Sequence, residues 1–140
     1  MEIKLLKDIL SANDQIAQEN RQLLDSNGVF TVNVMSSPGA GKTSLILETV
    51  RRLKGAVQIG VIEGDVSSSI DAETIDKEGV PVIQINTGGE CHLDASMTHR
   101  ALNNLPLQDI ELLFIENVGN LICTAEFTIG AHKNLVISST

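Results

Sequence analysis

Val29-Phe30-Thr31-Val32-Asn33-Val34-Met35-Ser36-Ser37-Pro38-Gly39-Ala40-Gly41-Lys42-Thr43-Ser44-Leu45-Ile46-Leu47-Glu48 passes from an apolar alternating run, through a glycine-rich turn, into a segment of good helix formers. A strand, a loop ending Gly41-Lys42-Thr43 and then a helix is the setting a phosphate-binding loop requires. Backbone N–H groups of such a loop, and of the helix N-terminus behind it, point at phosphate oxygens and favour negative charge. Gly39 and Gly41 let the backbone approach where a Cβ would obstruct it. The spacing assigns Pro38, Gly39, Ala40, Gly41, Lys42, Thr43 and Ser44 to nucleotide phosphate contact. Lys42 reaches the β- and γ-phosphates, and the Thr43 hydroxyl ligates Mg²⁺. One position departs from the usual pattern, which begins with glycine: Ser36 stands there.

The segments around this stretch fit a single domain of 140 residues. Residues 3–25 read as an amphipathic helix, with Ile3, Leu6, Ile9, Leu10, Ile16, Ala17, Leu23 and Leu24 on helical spacing and Gly28 as its stop. Strands are predicted at 29–35, 56–63, 80–86, 110–116 and 134–139, and helices at 42–53, 70–78 and 93–104. Strands alternating with helices imply parallel βαβ units and an α/β fold, a mostly parallel sheet flanked by helices. The reading is one phosphate-loop domain over 1–140, incomplete at its C-terminus, with an N-terminal helix (1–27) packed on it.

Composition narrows the partners. The net charge of −8 argues against nucleic acid or an anionic membrane. No apolar run approaches the roughly 20 residues of a membrane span, and the charged N-terminus is unlike a signal peptide. The expected location is the cytoplasm. The core must rely on Val, Ile and Leu, because there are three Phe and no Trp or Tyr. Two cysteines in a reducing compartment point to metal ligands or buried small residues rather than to a disulfide.

Ligands of open parallel sheets bind at the C-terminal ends of the strands. Asp65 and Glu116 fall there, as carboxylates for the Mg²⁺ environment, a hard cation that prefers oxygen. Asp65 is alternatively a helix N-cap, since Ser67, Ser68 and Ser69 follow it. Glu63 is a weaker candidate, placed further from the rim. Gly119, three residues after Glu116, offers its amide to the γ-phosphate. Cys91 and His92 stand between a strand and a helix, and Cys123 lies four residues after Gly119. A thiolate and an imidazole suit Zn²⁺ or Ni²⁺, and two copies of the pair make a tetrahedral set. His99 and His132 read as surface or packing residues.

Taken together, these residues resemble the HypB family, GTPases that assist nickel insertion into [NiFe]-hydrogenase. The similarity rests on Asn13-Asp14, Asn20-Arg21, Val32 to Thr43, Gly64-Asp65, Asp71-Ala72-Glu73, Asn86-Thr87-Gly88, Cys91-His92-Leu93-Asp94-Ala95 and Phe114-Ile115-Glu116-Asn117-Val118-Gly119-Asn120-Leu121-Ile122-Cys123. It implies a GTP-dependent homodimer of the P-loop (SIMIBI-type) class. Lys42, Asp65 and Glu116 become the catalytic group, with GTP/GDP and Mg²⁺ as cofactors. Cys91, His92 and Cys123 become ligands of Ni²⁺ or Zn²⁺ near the dimer interface. The implied partners are a HypA-like zinc protein and the hydrogenase large-subunit precursor. The Asn-Lys-x-Asp motif that reads guanine does not occur in these residues. Asp94 is the candidate for the water-positioning residue. A competing expectation is a non-catalytic metal-binding or dimerisation module, and a weaker one is a small-molecule kinase.

Overall fold

The computed structural model describes residues 2–38, 41–64 and 69–138, less the side chains of residues 2, 3 and 69–71. Gly39, Ala40 and Asp65 therefore lie outside the described residues. Among those described, five strands form one sheet: β1 (Phe30–Ser36), β2 (Ile59–Glu63), β3 (Val82–Gln84), β4 (Leu112–Gly119) and β5 (Lys133–Ile137). Their order is β3-β2-β4-β1-β5, and every pairing is parallel. Parallel neighbours need long crossovers. Helices supply them as α2 (Lys42–Leu53), α3 (Ser69–Asp76) and α4 (Ala95–Leu102), with α1 (Glu2–Ser26) ahead of the sheet and a short α5 (Cys123–Glu126) after β4. This is the expected α/β class.

Strand alternation sorts side chains onto two faces. On one, Val34, Val61 and Phe114 pack with Ile46 and Val50 of α2 and Ile75 of α3. On the other, Ile62, Leu113 and Ile115 pack with Leu24 of α1 and with Ala101 and Leu102 of α4. Both layers are mostly aliphatic, and each such side chain contributes roughly 1.5–3 kcal/mol of transfer free energy when fully buried.

β2 and β3 are shorter than the expected 56–63 and 80–86, α5 is not among the expected helices, and β4 and α1 depart from the sequence expectation in ways that bear on the site. The sequence places a strand at 110–116, but β4 starts at Leu112, behind a 3-10 turn at Leu107–Asp109, and runs on to Gly119. Val34 pairs with Glu116 and Ser36 with Gly119, so β4 carries one extra residue, a bulge. Glu116 therefore sits inside a strand rather than at its end.

In α1 the buried stripe is Asn13, Ala17, Asn20 and Leu24, while Leu6 and Ile9 are 50% and 48% exposed. Half of that stripe is amide because the helix lies against main-chain groups. Asn13 Nδ2 donates to Thr128 O at 2.7 Å, and its Oδ1 accepts the Ala95 N–H at 2.8 Å. Asn20 Nδ2 donates to Ala95 O at 2.9 Å and to Ile129 O at 3.0 Å. Arg21 donates to the carbonyls of Gly130 and Ala131. The helix thus ties the start of α4 to the segment after α5.

Candidate functional site

The C-terminal ends of β1, β2 and β4 meet the N-terminus of α2. Gly41, at φ 86°, leads directly into that helix. Lys42 is buried, and its Nζ donates to Ser36 Oγ at 2.9 Å. Ser36 in turn donates to the Ser37 carbonyl at 2.8 Å. The serine that breaks the usual loop pattern therefore holds the ammonium group of the loop lysine. Ser44 is exposed on the first turn of α2. Pro38 lies against the end of β4: a Cβ on Gly119 would come within 3.1 Å of Pro38 Cα and 3.4 Å of Lys42 Nζ. A glycine lets β4 pass this close without displacing either.

Thr43 Oγ1 donates to Glu116 Oε1 at 2.6 Å. Glu116 is buried, and its second oxygen, Oε2, has no hydrogen-bond partner among the described residues. Burial pushes this carboxyl above its ordinary range, while the Thr43 hydrogen bond and the Lys42 charge pull it back. A buried carboxylate oxygen without a partner is costly unless a cation or a donor meets it. Beside a threonine hydroxyl, this is the oxygen-rich donor set that suits Mg²⁺.

The second cluster lies across the same rim. The ligand atoms of Cys91, His92 and Cys123 all fall within 4.8 Å of one another. Cys91 Sγ is 3.6 Å from His92 Nδ1. Adjacency in sequence joins Cys91 to His92, and the fold adds Cys123 from the first position of α5. The hydrogen bond with Cys123 pushes the Cys91 thiol above its ordinary range, and partial burial adds to this. Two sulfurs and an imidazole suit Zn²⁺ or Ni²⁺ and leave room for a further ligand.

Several residues that sequence reasoning passes over hold this cluster in place. Asn117 is fully buried; its Oδ1 accepts the Leu93 N–H at 3.0 Å, and its Nδ2 donates to Asn33 Oδ1 at 3.2 Å. Asn120 Oδ1 accepts the N–H groups of Ile122 at 2.8 Å and Cys123 at 3.2 Å. Phe127 stacks on His92, with ring centroids 3.9 Å apart and planes 14° from parallel. Asn at two and three residues before the bonded N–H groups is a legible turn signal; nothing in the sequence marks Phe127. Asp94 caps α4 by accepting the Met97 N–H at 2.8 Å. His99 contacts Asn20, and His132 stacks on Phe30 and meets Asp25. Neither histidine joins the metal-ligand group.

A family model described as the CobW/HypB/UreG nucleotide-binding domain matches residues 30–138. The chain is 49% identical over 138 residues to the probable hydrogenase maturation factor HypB of Methanocaldococcus jannaschii, covering 99% of this chain and 62% of that protein. The crystal structure of HypB from Archaeoglobus fulgidus superposes with a TM-score of 0.84 at 42% identity, over 91% of this chain and 62% of that one. HypB from Helicobacter pylori, solved in complex with nickel, gives a TM-score of 0.82 at 40% identity, over 89% and 59% of the respective chains. The chain spans between 46% and 62% of the length of the curated relatives it matches. No helix among the described residues is long and apolar enough to cross a membrane.

Proposed function

Because this chain belongs to the CobW/HypB/UreG nucleotide-binding family, we propose that it is the nucleotide- and metal-binding part of a GTPase that assists nickel delivery to [NiFe]-hydrogenase. One observation carries the reading: the run from Glu116 to Asn120, at the end of β4, touches both sites. Glu116 accepts from Thr43, Asn117 holds Leu93 beside the Cys91-His92 pair, Gly119 presses on Pro38, and Asn120 holds Cys123. These contacts support the reading that a shift at the nucleotide is passed to the metal.

In this reading the phosphates lie on the α2 N-terminus, and Lys42, tethered by Ser36, neutralises charge between the β- and γ-phosphates. Thr43 and Glu116 would hold Mg²⁺, with Asp65 as a further acid. Mg²⁺ bound there supplies additional charge neutralisation during attack by water on the γ-phosphorus. Gly119 offers its amide to the γ-phosphate. GTP orders the end of β4 and the loops hung from it, and loss of the γ-phosphate relaxes them. The transported ion, Ni²⁺ or Zn²⁺, is held by Cys91, His92 and Cys123. Three ligands per chain are completed by a second copy in a homodimer. A HypA-like zinc protein and the hydrogenase large-subunit precursor are the expected partners, and the cytoplasm is the expected location.

Coupling between sites is reciprocal, so it is testable from either side. Sedimentation with metal analysis, with Ni²⁺ or Zn²⁺ and with or without a non-hydrolysable GTP analogue, should show nucleotide-promoted assembly around shared metal. The Cys91→Ala/His92→Ala double variant should lose that metal and keep nucleotide binding. Equal metal stoichiometry in the double variant would remove the assignment. Failure of the parent chain to bind mant-GTP would favour the non-catalytic module.

A further inference from the structure

Glu63 lies at the end of β2 and is 2% exposed, yet neither Oε1 nor Oε2 has a hydrogen-bond partner among the described residues. It is in register with Glu116 across the β2–β4 pairing. Neighbours in register on parallel strands project to the same face, with strands about 4.8 Å apart. That face is the one covered by α2, since Val61 and Phe114, two residues earlier on each strand, pack against Ile46 and Val50. Glu63 and Glu116 thus stand side by side beneath the helix that begins with Lys42 and Thr43.

No state of Glu63 is satisfied by the described residues. An ionised carboxylate presents about four acceptor positions, and a protonated one presents an O–H donor and a carbonyl acceptor. Neither finds a partner there, and buried polar groups in native proteins are overwhelmingly partnered. A partner that donates to the carboxylate and also carries positive charge answers both the orphaned oxygens and the second acid beside them. A hydrated divalent cation does both, as Mg²⁺ retains several waters when protein-bound.

We propose that Glu63 is a positioning carboxylate of the nucleotide-associated Mg²⁺, acting through the cation's water shell beside the direct ligands Thr43 and Glu116. This rests on the nucleotide reading above. Outer-shell partners of metal sites typically change metal affinity by about 10–100-fold when removed. Glu63 is the described residue placed to play that part on the β2 side of the site.

The test is a Mg²⁺ titration of mant-GDP binding to the full chain, run in parallel with Mn²⁺ electron paramagnetic resonance of the GDP complex. In Glu63→Gln the half-saturating Mg²⁺ concentration should rise by about 10–100-fold, and the Mn²⁺ spectrum should change. Nucleotide affinity in EDTA should stay within about twofold of the parent, since no phosphate contact is assigned to Glu63. Glu63→Asp, which keeps the charge but withdraws it, should give an intermediate shift and decides the matter if the glutamine variant does not fold. An unchanged Mg²⁺ midpoint in Glu63→Gln, with Glu116→Gln shifted, would overturn this proposal alone and leave the nucleotide site standing. A parent chain whose mant-GDP binding ignores Mg²⁺ would overturn both.

Discussion

Replacing Asn20 by alanine removes three contacts of one fully buried side chain. The amide nitrogen donates to Ala95 O at 2.9 Å and Ile129 O at 3.0 Å, and Oδ1 stands 2.9 Å from His99 Nδ1. At about 1 kcal/mol net per hydrogen bond the loss is about 3 kcal/mol, and carbonyls left dry would add to it. An unfolding entropy of about 2.1 cal/mol/K per residue gives about 0.3 kcal/mol/K for a chain of 140 residues. The midpoint should then fall by about 10 °C. Thermal and urea unfolding followed by circular dichroism measure this directly. Asn20→Asp is the informative companion, because it turns an oxygen toward two carbonyls and should be at least as damaging. A loss below about 0.5 kcal/mol for Asn20→Ala would mean that water replaces the amide, and that the polar stripe of α1 is not what fastens it.

The same geometry sets three other outcomes. Gly130→Ala should be strongly destabilising, by about 2 kcal/mol or more, because φ is +100° and the new Cβ would lie 2.5 Å from Ala17 O; a midpoint equal to the parent would refute the close approach. Phe127→Ala removes a ring stacked on His92. A contact of about 0.5–1.5 kcal/mol predicts a roughly 2–12-fold loss of Ni²⁺ or Zn²⁺ affinity by competitive chelator titration, with mant-GDP binding unaffected. Glu78 accepts from Arg51 and Lys54, and these contacts, Arg51 first, hold its carboxyl below the usual range. A depressed folded pKa stabilises above the unfolded value, near 4.3, and the benefit fades as pH falls through the lower folded value. Glu78→Gln should therefore melt slightly below the parent at pH 7 and alongside it at strongly acid pH, and a gap that widened with acid would contradict the pairing.

The parts of the fold that rest on side-chain periodicity are legible in the sequence. β1 alternates visibly from Phe30 to Ser36, and the glycine-rich turn fixes the start of α2. α1 misleads because its buried face is half asparagine. Periodicity counts apolar residues, and it therefore selects Leu6 and Ile9, which are exposed, over Asn13 and Asn20, which are buried. The extra length of β4 is invisible because a bulge is a pairing event between strands far apart in sequence, Ser36 against Gly119, and leaves no local pattern. Cys91 and His92 announce themselves by adjacency. Cys123, which the resemblance adds to them, meets them through a local turn at Asn120 that the sequence marks and through the place where β4 ends, which is a tertiary fact. Glu63 looks minor by its distance from the rim; only its burial without described partners makes it informative.

The grip of α1 has a consequence for how this surface tolerates change. Asn13, Asn20 and Arg21 reach the peptide groups of Ala95, Thr128, Ile129, Gly130 and Ala131: carbonyls that every residue type carries, and at Ala95 also an N–H that proline alone lacks. Side chains along the gripped segment are then free to drift as far as packing and the cramped Gly130 permit, without loosening the mount. Change on the helix side is a different matter, because each of its three fasteners is a specific amide or guanidinium. Mutational robustness should therefore be lopsided across this one contact: permissive where the loop passes, strict where the helix holds it.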